Sequence, residues 1–159
     1  MTVVLGIDPG YDRLGVAVIT KESGREKLLY STCFLSNKKQ SLSARLLFLG
    51  DQLEKTIVAW QPEIAAVEKL YFSVNQKTAL AVAEARGMIS YLCAKNGLTI
   101  HEYAPTEIKL TLTGYGHADK KQIGEMIPKL LKDVPPARFD DETDAIAIAL
   151  TCLAKKIAE

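Results

Sequence analysis

Between residues 2 and 35 the apolar positions come in three short β-branched runs, and from residue 42 the period changes to that of a helix. Residues 2–8 (TVVLGID) predict a buried strand that stops at the turn signal Asp8-Pro9-Gly10. Residues 14–20 (LGVAVIT) and 27–35 (KLLYSTCFL) predict two more strands, and the short polar or Gly-containing links between the three suggest an antiparallel meander. Leu42, Leu46, Leu49, Leu53, Ile57 and Trp60 then recur at steps of three or four, the stripe of an amphipathic helix that Pro62 ends. Residues 63–67 predict a short apolar-cored strand ending at Glu68. Residues 75–95 predict a helix rich in small side chains (Ala79, Ala81, Ala83, Ala85, Gly87), with Gly97 placed to stop it. A strand over 98–103 follows, then a short helix from Pro105 to about residue 112 and a flexible loop at 113–117. A basic helix over 119–132, a break at Pro135-Pro136 and a last helix over 141–157 complete the pattern. The order βββ-α-β-α-β-α-α-α argues for an α/β fold, one mixed sheet flanked by helices, without repeats, linkers or low-complexity tracts.

Bulk properties narrow this picture only slightly. A chain of 159 residues with 48% hydrophobic and 25% charged side chains fits one ordinary globular domain, spanning 1–159. No apolar run approaches a membrane span, and Asp8 interrupts the N-terminal one, so neither a membrane segment nor a secretory signal is expected. Cys33, Cys93 and Cys152 are odd in number and embedded in apolar sequence, which reads as reduced core thiols in a cytoplasmic protein. The net charge of +1 does not announce a nucleic-acid binder. Setting aside four acidic residues as metal ligands, however, leaves 20 basic residues against 15 acidic ones, so the global balance decides nothing.

The chemistry is concentrated where apolar runs stop or start. Asp8 closes the first strand and Glu68 the fourth, while Asp141 and Asp144 open the run that continues Ala145-Ile146-Ala147-Ile148-Ala149-Leu150. Each has an ordinary reading: Asp8-Pro9-Gly10 as a turn, Glu68 as the first solvated residue after a strand, and Asp141 as a helix N-cap. Together they are harder to dismiss. Asp141 and Asp144 are three apart on a helix and share a face, where like charges repel unless a cation intervenes. If the first and fourth strands are parallel neighbours, Asp8 and Glu68 emerge at one sheet edge, a common position for functional groups. Four clustered carboxylates are tolerable around one or two hard divalent cations, Mg²⁺ or Mn²⁺, which points to metal-dependent phosphoryl transfer.

Gly6-Ile7-Asp8-Pro9-Gly10 with Gly15, the Val67-Glu68 strand end, Ala85-Arg86-Gly87, and Asp141-x-x-Asp144-Ala145-x-Ala147-x-Ala149 together resemble the RuvC family of Holliday-junction resolvases, in order and spacing from residue 3 to about 155. The resemblance implies a ribonuclease H-like fold with a five-stranded mixed sheet. It implies a homodimer that nicks two opposed strands of four-way junction DNA, in recombination and repair, leaving 5′ phosphate and 3′ hydroxyl ends. It implies Mg²⁺, two ions per site with Mn²⁺ as a substitute, held by Asp8, Glu68, Asp141 and Asp144. Asp140 precedes Asp141, which leaves the ligand at that helix start ambiguous by one residue, with the spacing to Asp144 favouring Asp141.

The same resemblance makes Lys109 and Lys120 basic residues near the scissile phosphate, with Lys120 also catalytic; the ordinary reading is two solvated helix lysines. Lys120-Lys121 follows the loop Gly114-Tyr115-Gly116-His117, so a mobile segment is able to carry positive charge to DNA. Arg86 either packs over a dimer seam or touches a backbone phosphate. Tyr71 and Phe72, just past Glu68, either plug a core edge or stack on an unpaired base at the crossover. His101 and His117 lack ligand spacing and read as surface or loop residues. The 75–95 helix carries Ala79, Val82, Ala83, Arg86, Gly87 and Ile89 on overlapping faces, more low-profile surface than one sheet contact needs, and so is the expected two-fold dimer element. A branch-migration complex of the RuvA and RuvB type is an open partner. No long basic tail follows Lys155-Lys156, which suggests weaker non-specific DNA affinity. Competing functions are an RNA-processing nuclease of the same fold, of the YqgF-like type, and a catalytically silent junction-binding module. Against the silent module, a pure binder has no reason to keep a repulsive carboxylate cluster. A sugar-kinase-like phosphate binder would need a longer, two-lobed chain.

Overall fold

A computed structural model describes residues 2–69 and 76–156, with side-chain surroundings left undescribed at 76, 77 and 156. Its elements are β1 (Thr2–Asp8), β2 (Arg13–Glu22), β3 (Arg25–Leu35), α1 (Leu42–Trp60), β4 (Ile64–Glu68), α2 (Gln76–Lys95), β5 (Thr99–Tyr103), α3 (Pro105–Thr113), α4 (Lys120–Leu130) and α5 (Asp140–Lys156). The five strands form one mixed sheet in the order β3-β2-β1-β4-β5. β1 pairs antiparallel with β2 and parallel with β4, and β5 continues the parallel half. This is the α/β arrangement expected from the order of the runs. The β2–β3 hairpin is longer than its apolar cores because Ser23 (φ 50°) and Gly24 (φ 80°) turn the chain in left-handed conformations.

Strand alternation sorts the side chains into two cores. Val4, Ala17, Ile19, Ile64 and Ala66 face α5, with α3 and α4 flanking it. Val3, Leu5, Ile7, Leu14, Val16, Val18, Ala65 and Val67 face α1 and α2. Because the period is two, Asp8 lies on the same face as Val4 and Gly6, and Glu68 on the same face as Ile64 and Ala66. The parallel register sets Gly6 opposite Ala66 and Ile7 opposite Val67, so both carboxylates leave the sheet side by side toward α5.

Two glycines decide how close α5 comes. A Cβ at Gly6 would lie 2.1 Å from the Ala145 carbonyl oxygen, and one at Gly15 would lie 2.0 Å from that of Asp141. Asp141, Ala145 and Ala149 recur every four residues along the helix line that crosses these glycines. Asp140, Asp141 and Glu142 occupy the first turn of α5, where the helix dipole favours negative charge.

Three expectations change here. Ile89, expected on the outward face of α2, is buried in the core, while Gly87 is exposed as expected and Leu80 and Tyr91 are exposed with it. His101 is not a surface residue: it lies on β5 with its Nε2 buried and without a hydrogen-bond partner. Asp141 is inside α5 and not its N-cap. Cys93 and Cys152 are buried and Cys33 half-buried, as the apolar setting of each suggests.

Candidate active site

Asp8 sits where β1 ends, and burial is the largest cause pushing its carboxyl up to about 8, followed by the charges of Asp144, Glu68 and Asp141. Glu68 is raised in the same way, by burial first and then by Asp144, with Lys120, Lys109 and Arg86 pulling it back. The two strand-end carboxylates and the start of α5 therefore act on one another electrostatically. Glu68 and Asp144 line a cleft of about 240 Å³ together with Lys109, Lys120, Ala147 and Ile148.

Each acidic residue of α5 has its own neighbour. Lys120 donates from Nζ to Asp144 Oδ2 at 2.9 Å, and the same ammonium stands 3.9 Å from Asp140. Arg13, on β2, approaches Asp141 at 3.3 Å while its guanidinium lies over the Phe139 ring. Asp140 is 82% exposed and Asp141 only 24%, so Asp141 is the one turned toward the sheet. Glu142 is buried, accepts a 2.6 Å hydrogen bond from Ser31 Oγ and accepts another from the Arg138 amide, which ties the start of α5 to β3.

Among the described residues no three His, Cys, Asp or Glu side chains stand close enough to hold a metal ion as placed. The chemistry of the donors nevertheless fits a hard divalent cation. The donors are all carboxylate oxygens, and burial with mutual repulsion leaves Asp8 short of compensating charge even with Lys120 nearby.

The lysines named from sequence divide. Lys109 and Lys120 both face the cleft, Lys120 at the start of α4 and Lys109 on α3. Lys121 is exposed beside Lys120 but is not among the cleft residues. Arg86 is directed inward: Nη1 donates to the Glu68 carbonyl oxygen and Nη2 to the Glu102 carboxylate. Tyr71 and Phe72 lie outside the described residues.

Sequence reasoning does not single out Arg13, Glu142 or Arg45. Arg45 is a buried guanidinium that reaches Asp12 and the Tyr11 carbonyl and donates from Nε to Ser36 Oγ at 2.9 Å, clamping the turn that follows Asp8. A signal for it exists, since Arg45 interrupts the apolar stripe between Leu42 and Leu49.

The architecture is that of the ribonuclease H-like α/β proteins, with carboxylates gathered at the ends of β1 and β4 beneath α5. A yeast mitochondrial Holliday junction resolvase, Ydc2, has this fold at a TM-score of 0.71 and 16% identity, covering 98% of this chain and 79% of its own. The chain belongs to the RuvC family: the model for "Crossover junction endodeoxyribonuclease RuvC" matches residues 4–152. It is 42% identical over 154 residues to the RuvC protein of Rickettsia rickettsii (strain Sheila Smith), covering 97% of this chain and 98% of that one. Thermus thermophilus RuvC, solved in complex with a Holliday junction substrate, superposes at a TM-score of 0.91 with 28% identity, covering 98% of this chain and 95% of that one.

Proposed function

We propose that this chain is a structure-selective endonuclease that resolves four-way DNA junctions by paired symmetric nicks. The observation that carries this reading is the meeting of Asp8 and Glu68 with the Asp141–Asp144 end of α5, in a chain of the RuvC family. Asp8, Glu68, Asp141 and Asp144 would hold Mg²⁺, two ions per site, with Mn²⁺ able to replace it. Such ions supply an acidified water and stabilise the charge that develops on the departing 3′ oxygen.

The remaining contributions belong to the chain's own side chains. Lys120 and Lys109 bring two ammonium groups to the same cleft as Glu68 and Asp144, where they draw in a phosphate and offset its negative charge. Lys120 is the better placed for catalysis, because its contact with Asp144 keeps it at the carboxylates in the absence of DNA. Lys121 extends the positive surface outward along the DNA, and Tyr71 and Phe72 serve at the crossover. Hydrolysis by this arrangement leaves a 5′ phosphate and a 3′ hydroxyl.

A homodimer through the outward face of α2 would give the two sites that two opposed cuts require. That face exposes Leu80 at 71% and Tyr91 at 65%, with Gly87 between them. A branch-migration complex of the RuvA and RuvB type is the partner that would present the junction, in the cytoplasm. No helix of the described residues is long and apolar enough to cross a membrane.

The test is incubation with a synthetic mobile four-way junction, a linear duplex and an RNA–DNA hybrid, with and without Mg²⁺. Paired symmetric nicks on the junction alone, and only with Mg²⁺, are expected. Preferential cleavage of the hybrid would make it an RNA-processing nuclease of the same fold, and tight junction binding without cleavage would make it a silent binding module.

A further inference from the structure

Arg86 sits on α2 with its side chain 17% exposed and uses its guanidinium on two acceptors at once. One is the backbone carbonyl of Glu68, the residue at which β4 ends; the other is the carboxylate of Glu102 on β5. At this point the sheet is running out. Glu68 pairs with Tyr103 as the last rung between β4 and β5, and the Lys69 amide donates to the Tyr103 carbonyl at 2.8 Å. That rung is the last pairing of β4 among the described residues, and a strand-end carbonyl in a half-buried setting costs free energy if left unpaired. Arg86 supplies that partner. Glu102 in turn holds the guanidinium, since its carboxylate faces a planar fork of donors that an ammonium would not reproduce.

From this geometry we propose that Arg86 is a positioning residue for the metal site, acting through the backbone of Glu68, with Glu102 as its anchor. The inference rests on the reading of Glu68 as a metal-holding carboxylate. It replaces direct contact between Arg86 and DNA phosphate, because both named donors already have acceptors inside the chain. It also joins two regions: α2 carries Arg86 on one side and Gly87 on the outward side, so the helix that presents the partner surface also steadies the catalytic strand end.

The test uses Arg86→Met, Arg86→Lys and Glu102→Ala in the full chain, with Glu68→Gln as a control. Mn²⁺ binding without DNA is followed by the loss of the free-ion paramagnetic resonance signal. Junction affinity is measured without divalent metal at several salt concentrations, and oligomeric state by sedimentation. Arg86→Met should weaken Mn²⁺ binding by about 10- to 100-fold, the usual consequence of losing a residue that orients a metal ligand. Junction affinity and its salt dependence should stay at the wild-type values. Arg86→Lys should recover part of the loss, since one ammonium reaches one of the two acceptors well. Glu102→Ala, at a half-exposed site, should shift Mn²⁺ binding in the same direction by less.

Unchanged Mn²⁺ binding in both Arg86→Met and Glu102→Ala would overturn the proposal. So would a weaker junction affinity with a shallower salt slope and normal Mn²⁺ binding, which is the behaviour of a phosphate anchor. If Glu68→Gln itself leaves Mn²⁺ binding and cleavage unaltered, the fault lies in the underlying reading of Glu68 and not in the role of Arg86.

Discussion

Against α5 the sheet presents Gly6 and Gly15 among Val4, Ala17, Ile19 and Ala66, whereas against α1 and α2 it presents Leu5, Ile7, Leu14, Val16 and Val18 with no glycine among them. At the two glycines of the first side, backbone lies on backbone and the separation is set by atoms that cannot rotate away. On the second, side chains fill the gap, with Leu49, Leu53, Ile57, Ile89 and Leu92 of the two helices packed among those of the sheet. The difference tracks what each side has to do. If the carboxylates at the start of α5 act with Asp8 and Glu68 as proposed, they must keep a fixed relation to them, and direct contact between helix and sheet is the stiffest way to hold it. The α1–α2 side reaches the strand ends only through single long side chains, Arg45 and Arg86, and it leaves Leu47, Phe48, Val58, Leu80 and Tyr91 exposed, an apolar surface of the sort that a partner covers.

The contrast breaks most completely at the carboxylates themselves. Asp8→Asn should lower junction cleavage by at least about a thousandfold, some 4 kcal/mol of transition-state stabilisation. Junction binding should be unchanged or tighter, because a negative charge near the phosphates is removed. Gel-shift and single-turnover assays on one preparation check both halves. Parallel loss of binding and cleavage would instead make Asp8 a structural turn residue.

Gly15→Ala comes next. Its Cβ would meet the Asp141 carbonyl, so either α5 moves or the sheet deforms, and overpacking of this type costs about 1–3 kcal/mol or more. The expected outcome is a lowered denaturation midpoint and a cleavage loss larger than the stability loss explains, as Asp141 and Asp144 shift with the helix. A variant with wild-type cleavage and stability would show the close approach to be incidental. On the other side of the sheet the same kind of change should do no such harm. A Cβ at Gly87 meets nothing within 4 Å, so Gly87→Glu should fold normally and yet yield a monomer by sedimentation, with poor or absent nicking. Wild-type protein that is monomeric both free and on a junction at micromolar concentration would end the two-fold reading.

What was legible from the residues follows the same division. Short β-branched apolar runs bounded by turn residues, the helical spacing after residue 42 and the small-residue composition of 75–95 were enough to place the described elements in order, because strands buried on both faces read as continuous apolar runs. The glycine spacing and the acidic start of the last helix were visible too, and the geometry shows their connection: Gly15 lies under Asp141 and Gly6 under Ala145. Less legible were contacts that depend on long side chains reaching between elements. Arg86 is adjacent in sequence to the outward-facing Gly87 yet turns inward to Glu68 and Glu102, and nothing in its local pattern distinguishes the two directions. Ile89 was placed on the outward face of α2 for a related reason: a helix rich in alanine has a weak apolar stripe, so its inward and outward sides are hard to tell apart. Arg13 and Glu142 were hidden because each finds its partner more than a hundred residues away.

The smallest expected effect concerns stability against pH in metal-free protein. Asp8 is raised from 3.8 to about 8 in the folded chain, chiefly by burial and then by the neighbouring carboxylates. Between those two values the folded state binds more protons than the unfolded state, so stability falls as pH rises through the window and levels off above it. Asp8→Asn removes the titration. In chelator-treated protein it should be more stable than wild type at pH 8, by on the order of 1–3 kcal/mol, with the gap closing toward pH 4. Added Mg²⁺ should stabilise wild type and not the variant, since the ion compensates the charge that burial penalises. Urea midpoints at several pH values, with and without Mg²⁺, measure both. A gap that is constant with pH would mean that the Asn acts through packing, and a Mg²⁺ response equal in both proteins would place the cation away from Asp8.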